Sequence, residues 1–240
     1  MSALGTPAVD GEHSKGLHRL ATGSTVGLAA GVVGLVVPVT LLVVQSESPG
    51  ALPLSPSQLI QVTAVLAIAG ALLLAVSLIL YRMGFASFRK VDRRFWSASV
   101  LCMLGTVGLL LLVLPIVVAL TSSDSIAACI QGSPTHAPAC LRSAAPLAGY
   151  VAVLGFWLLW LGGLGIVVGL SLVSVRYRQV WLTAGAALYA ILLLGLIAPA
   201  LALLFPIGGL AYAVLALPVL VLVAPAVTSH GSHRAMSAPS

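Results

Sequence analysis

All eleven Lys and Arg, all five Asp and Glu and all five His of this 240-residue chain fall between or outside six long apolar runs. That segregation leaves few folds open. One charge at the centre of a membrane helix costs about 2.5 to 3.5 kcal/mol on insertion scales. About 20 apolar helical residues cross a hydrocarbon core of roughly 30 Å, and runs at 21–44, 59–80, 95–120, 147–175, 180–204 and 207–227 reach that length. The expected fold is therefore all-α, a polytopic transmembrane bundle of six membrane-spanning helices. Charged residues make up only 7% of the chain, against about a quarter in soluble domains, so lipid is the expected solvent and no soluble domain is expected.

The remaining residues divide accordingly. Residues 1–20 form a short polar segment, too few to fold alone. Residues 21–227 are the membrane domain, and the polar tail 228–240 is expected to be disordered. Lys15 and Arg19 precede the first run as they would in a signal peptide. Its apolar core exceeds the usual 7 to about 15 residues, and no small-x-small site follows before Gln45, so a retained helix is expected.

The basic residues also select a side. Lys15 and Arg19 precede the first run, and Arg82, Arg89, Lys90, Arg93 and Arg94 fill the connector 81–94. Arg176 and Arg178 make the turn between the fourth and fifth runs, and Arg234 lies in the tail. With six crossings all ten share one face, and only Arg142, in the loop 121–146, lies on the other. Basic residues stay inside, so both termini are expected in the cytoplasm and the protein in the cell membrane. A pI near 9.7 would suggest nucleic acid in a soluble protein. Placed at helix ends, these charges point instead to the bilayer and its anionic headgroups, and nucleic acid is not an expected partner. The expected interfacial lipid contacts are Arg82, Arg89, Lys90, Arg93, Arg94, Trp96, Arg176, Arg178 and Trp181.

Within the connector, Tyr81, Phe85, Phe88 and Phe95 recur at nearly helical spacing while Arg82, Arg89 and Arg93 share another face. The pattern suits a short amphipathic helix in the membrane interface; the plainer reading is a basic connector with an aromatic belt. Asp92 stands one turn from Arg89, an ion-pair spacing worth a few tenths of a kcal/mol at most, by order of magnitude. The first, third and fifth runs each follow a basic residue and carry a proline (Pro38, Pro115, Pro199). This is compatible with a repeated hairpin, although any inner interface selects basic and aromatic starts.

Small residues recur every fourth position at Gly23, Gly27 and Gly31, at Ala67, Ala71 and Ala75, and at Gly165 and Gly169. Such stripes let helix backbones approach where lipid offers no hydrophobic drive for association. They serve packing within the chain or a subunit interface. Gln61 is the intramembrane amide and a candidate polar contact.

Cys129 and Cys140 lie in the outer loop, where a disulfide is permitted; a bridge there is favoured over two thiols. His136 between them supplies a third formal metal ligand, but zinc sites usually have four tighter-spaced ligands. Cys102 falls in the third run as a small packing residue. His13, His18, His230 and His233 lie in terminal segments, where solvation is the simpler reading than a metal site.

No His-Glu-x-x-His, phosphate-binding Gly-rich loop or Gly-x-Ser-x-Gly occurs. The acids Asp10, Glu12, Glu47, Asp92 and Asp124 are scattered over separate connecting and terminal segments, whereas acid-base chemistry needs such groups around one substrate. No enzyme activity, cofactor or metal is expected. The runs also lack the buried ionisable residues that proton relays and ion sites use.

The phrases Gly16-Leu17-His18-Arg19-Leu20-Ala21-Thr22-Gly23 and Tyr81-Arg82-Met83-Gly84-Phe85 resemble a family of archaeal multi-pass membrane proteins of unknown function. The resemblance implies a six-helix prokaryotic membrane protein and brings no active-site residues with it. The expected function is non-catalytic, through helix packing with itself as a homo-oligomer or with a membrane protein partner. The alternative is a channel or facilitator for a small neutral or lipid-like solute, since an uncharged conduit needs no buried ions.

Overall fold

The computed structural model describes residues 11–47, 54–89, 92–124, 146–201 and 217–237, and among them it is helical with no strand. Helix α1 (Gly11–Gly31) passes through a π-helical turn (Val32–Val36) into α2 (Val37–Glu47). Then come α3 (Pro56–Phe88), α4 (Phe95–Thr121), α5 (Pro146–Tyr177), α6 (Val180–Leu201) and α7 (Leu217–Ser237). Among the described residues four runs are long and apolar enough to cross a membrane: His13–Gln45, Pro56–Phe88, Phe95–Val118 and Leu147–Tyr177. In the fifth expected span the corresponding apolar stretch is the shorter Val180–Gly195. The first part of the expected sixth span lies outside the described residues. At about 1.5 Å per residue, the 33 residues of α3 reach about 50 Å, more than a bilayer core requires.

Local chemistry sets the helix ends. At the start of α3 the Ser55 N–H donates to Gln58 Oε1 (2.9 Å) and the Gln58 N–H to Ser55 Oγ (3.2 Å). This reciprocal capping box is followed by a proline at the first helical position, where a missing N–H costs nothing. It starts the second helix at Pro56, three residues before the expected boundary. At the end of α5, Arg178 adopts φ 50° and the Gln179 N–H reaches back to the Ser174 carbonyl (3.2 Å). A left-handed residue with a six-to-one bond is the Schellman arrangement, held here by arginine instead of glycine.

The π turn sits just before Pro38. The Val37 N–H bonds to the Val32 carbonyl, five residues back instead of four. In a regular helix the Pro38 ring would press on the carbonyl of residue 34, and the wider turn accommodates it.

The chain forms two compact units. One comprises Met1–Leu28, Val76–Met103 and Leu161–Ser240, the other Ala29–Ala75 and Leu104–Trp160. In the second unit Gly34 and Gly70 meet backbone to backbone: a Cβ on Gly34 would fall 2.9 Å from Gly70 Cα. Gly108 and Gly155 do the same, with a Cβ on Gly155 2.8 Å from the Gly108 carbonyl. Gln61 Nε2 donates to Ser123 Oγ at 3.0 Å, so the intramembrane amide has a polar partner in this unit.

Three expectations are corrected. Residues 11–20 are not a separate polar segment: they are the first turns of α1, with Leu17 and Leu20 fully buried. The second helix does not give way to an interfacial helix at 81; it runs on to Phe88 and only the short turn before Phe95 separates it from α4. Residues 228–237 are not a disordered tail. They continue α7, with Thr228, Ser232 and Ala235 buried, because Thr228, Ser232 and Ala235 recur at helical spacing on the side that meets α6.

Candidate functional site: a buried aromatic and hydroxyl cluster

The first unit is organised around the stripe Tyr81, Phe85 and Phe88 on α3. Positions i, i+4 and i+7 of one helix share a face, and once α3 continues through Phe88 these three rings point into the unit, each fully buried. Arg82 and Arg89 are exposed on the other side. The expected interfacial aromatic belt is thus a core element, which the uninterrupted helix explains.

Rings from other helices join it. Phe95, the first residue of α4, lies 5.3 Å from Phe88 centre to centre, and Tyr177 at the end of α5 meets Phe88 edge-on at 6.2 Å. His13 from α1 packs on the same ring at 5.8 Å and stands edge-on to Tyr177 at 6.5 Å. Tilted and edge-to-face pairs at such separations contribute roughly 0.5 to 1.5 kcal/mol each beyond area burial.

Above the rings runs a chain of hydroxyls. Ser24 Oγ donates to the Leu20 carbonyl (2.8 Å) and lies 2.7 Å from Tyr81 Oη, which lies 3.2 Å from Tyr189 Oη on α6. Each hydroxyl has one proton. Since that of Ser24 goes to the carbonyl, Tyr81 donates to Ser24 and Tyr189 donates to Tyr81. The three bonds point one way, from α6 through α3 to α1. One turn further along α3, Ser77 Oγ donates to the Gly23 carbonyl at 2.7 Å.

Glycine makes these distances attainable. A Cβ on Gly23 would lie 3.2 Å from Leu80 Cβ, one on Gly27 3.0 Å from Ser77 Oγ, and one on Gly16 2.8 Å from the Phe88 ring. As α1 advances, its partner on α3 recedes by matching steps, so the two helices run antiparallel in fixed register. On α5, Gly165 faces the Ala98 carbonyl and Cys102 N–H of α4 (both 2.9 Å from a built Cβ), and Gly169 seats the Phe85 ring. Gly31 and Ala71 are buried, whereas Ala67 and Ala75 are half-buried. Cys102 is buried with Sγ 3.9 Å from the Gly162 carbonyl. Helix α7 closes on α6, with Gly185 beneath Thr228 and Gly231 beneath Trp181 and Leu182.

The expected lipid contacts divide. Arg82, Arg89, Arg93, Arg94 and Arg178 are exposed, Arg176 is half-buried, and Trp96 is 55% exposed. Trp181 is engaged from within the chain, by the His230 ring edge-on at 5.2 Å and by the Arg234 guanidinium 5.8 Å above it. Asp92 Oδ1 accepts from the Arg94 backbone N–H at 2.9 Å, organising the turn before α4. Lys90, Cys129, His136, Cys140 and Arg142 lie outside the described residues, and with them the expected disulfide. Among the described residues no three of His, Cys, Asp and Glu converge as a metal site would require.

Sequence reasoning missed Ser24, Ser77, His13, Tyr177 and Tyr189 as members of the cluster. Their partners are 54 to 108 residues away where hydrogen-bonded, and periodicity within one helix carries no information about partners. The available signal was the aromatic stripe itself, since an aromatic row at helical spacing more often faces a core than an interface. No protein-family model, curated protein or solved structure matches this chain; the archaeal resemblance rests on its two short phrases alone.

Proposed function

We propose that this chain is a non-catalytic integral membrane protein that acts through helix packing, with further copies of itself or with a membrane protein partner. It crosses the cell membrane six times with both termini in the cytoplasm, and its basic connectors meet anionic headgroups there. The observation that carries the reading is the way hydroxyls of the first unit bond across its helices. Ser24, Tyr81, Tyr189 and Ser77 bond one another or a neighbouring backbone, while Thr228 and Ser232 bond back to their own helix at 2.8 and 2.9 Å. Hydroxyls arranged this way hold helices together in a medium where packing and hydrogen bonds drive association. Among the described buried residues the polar ones are His13, five serines and Thr228, with no Lys, Arg, Asp or Glu.

The test is the mass of the detergent-solubilised protein by native mass spectrometry, combined with crosslinking in intact membranes. The expected result is a defined oligomer or a stoichiometric membrane partner. A monodisperse monomer with no crosslinked partner, which passes a small neutral solute when reconstituted in liposomes, would replace this reading with that of a facilitator. Orientation is tested separately by epitope tags at both ends, expected to be reached by antibody only after permeabilisation. Labelling in intact cells would reverse the side of every connector.

A further inference from the structure

Outside the aromatic cluster, the first turns of α1 form one wall of a recess of about 290 Å³, lined by Ser14, Lys15, His18 and Arg19 with Met236 of α7 opposite. Positions i, i+1, i+4 and i+5 share a side of a helix, so four hydrogen-bond donors line this recess, and among the described residues no carboxylate does. Lys15 and Arg19 stand one turn apart, a spacing at which like charges repel. Arg19 is held in place: its Nη1 donates to Ser87 Oγ of α3 at 3.1 Å, and Ser87 Oγ in turn donates to the Met83 carbonyl at 3.0 Å. A guanidinium has five N–H donors, so this bond fixes the fork and leaves other donors directed elsewhere.

We infer that this recess binds the phosphate of an anionic phospholipid headgroup. An anion between Lys15 and Arg19 turns their repulsion into two charge-assisted contacts. The arginine fork matches phosphate geometry and the lysine serves as a point charge, while the Ser14 hydroxyl and a His18 ring N–H complete the donor set. Two features favour a lipid over free phosphate. The wall opposite is the thioether side chain of Met236, suited to glycerol and the start of an acyl chain, and the recess lies at the end of the apolar run His13–Gln45, where a membrane helix meets headgroups.

The inference rests on the membrane reading above and is independent of any partner, because bound lipid and subunit number appear as separate masses in one spectrum. The full-length protein in neutral detergent is titrated with phosphatidylglycerol, with phosphatidylcholine, and with phosphatidylglycerol in excess inorganic phosphate. The expected result is one phosphatidylglycerol bound about tenfold tighter than phosphatidylcholine, whose headgroup has the same phosphate but brings a quaternary ammonium toward Lys15 and Arg19, with inorganic phosphate a poor competitor. Lys15→Gln/Arg19→Gln is expected to abolish the preference, and Lys15→Gln alone, at an exposed side chain, to weaken it with the fold intact. Arg142→Gln, which removes the same charge elsewhere, is expected to retain it. An undiminished preference in both recess variants, or an equal loss in Arg142→Gln, overturns the site. Displacement by inorganic phosphate at concentrations comparable to the lipid overturns the assignment to a headgroup.

Discussion

Adding one methyl group at Gly70 and one at Gly149 is the same chemical change in opposite surroundings. A Cβ on Gly70 would meet the backbone at the end of α1 and in the π turn: it would overlap Gly34 Cα and lie 2.7 Å from Gly34 N and 3.2 Å from the Ala30 carbonyl oxygen. Ordinary contacts to carbon begin near 3.5 Å, so the overlap with Gly34 Cα requires the two backbones to part by roughly 1 Å, since no side-chain rotation can relieve them. A gap of that size forfeits about a quarter to a half of each contact's attraction along the seam, and overpacking of this kind typically costs about 1 to 3 kcal/mol. Alanine recovers roughly 0.8 to 1 kcal/mol of helix propensity, leaving Gly70→Ala less stable by up to about 2 kcal/mol. At Gly149 nothing lies within 4 Å of the new methyl, so the propensity gain stands alone, and Gly149→Ala is expected to be more stable by up to about 1 kcal/mol. Reversible unfolding in mixed micelles, followed by circular dichroism over an SDS titration, reads both shifts. Equal shifts of the two variants, or a stabilised Gly70→Ala, would refute the close approach of these backbones.

The direction of the hydroxyl chain makes Tyr81→Phe the more damaging tyrosine change: it orphans the Tyr189 donor and the Ser24 acceptor, for a loss of about 1 to 3 kcal/mol. Tyr189→Phe removes a terminal donor and should lose about 0.5 to 1.5 kcal/mol. The same unfolding assay ranks them, and a reversed order contradicts the assignment. Arg178→Gly relieves a left-handed arginine and is expected to raise stability by roughly 1 kcal/mol, read as a higher thermal midpoint; a lower midpoint would show that the arginine side chain outweighs its backbone strain. Trp181→Leu removes the face on which Arg234 and His230 rest and should lose about 0.5 to 1 kcal/mol for the cation–π contact at a partly exposed site. Restoration by Trp181→Tyr distinguishes that contact from loss of packing volume.

The helical architecture was legible because exclusion of charge from long apolar runs is a one-dimensional signal. Helix ends were less so, each for a physical reason. Gly11 to Leu20 looked too polar to belong to a membrane helix, yet Leu17 and Leu20, three apart, form a continuous face with Ala21 and Ser24 once the helix has a neighbour to pack on. Ser55-Pro56-Ser57-Gln58 spelled a capping box in the sequence, and reading it would have placed the start of α3. Tyr81, Phe85 and Phe88 were found as a stripe and assigned to the wrong environment, because five nearby basic residues suggested an interface. Only partners supplied by other helices distinguish a belt from a core. The π turn before Pro38 had a visible cause in the proline, whereas the approach of Gly34 to Gly70 is a contact between residues distant in sequence.

That wider turn gives the first helix a phase defect. Each residue advances a regular helix by about 100°, and between Val32 and Val37 one additional residue is taken into a single turn. Deleting a single valine between 32 and 36 would impose ordinary winding and set the Pro38 ring against the carbonyl four residues before it. The extra residue and the proline are therefore a matched pair, and the length of this stretch cannot be shortened without also replacing Pro38.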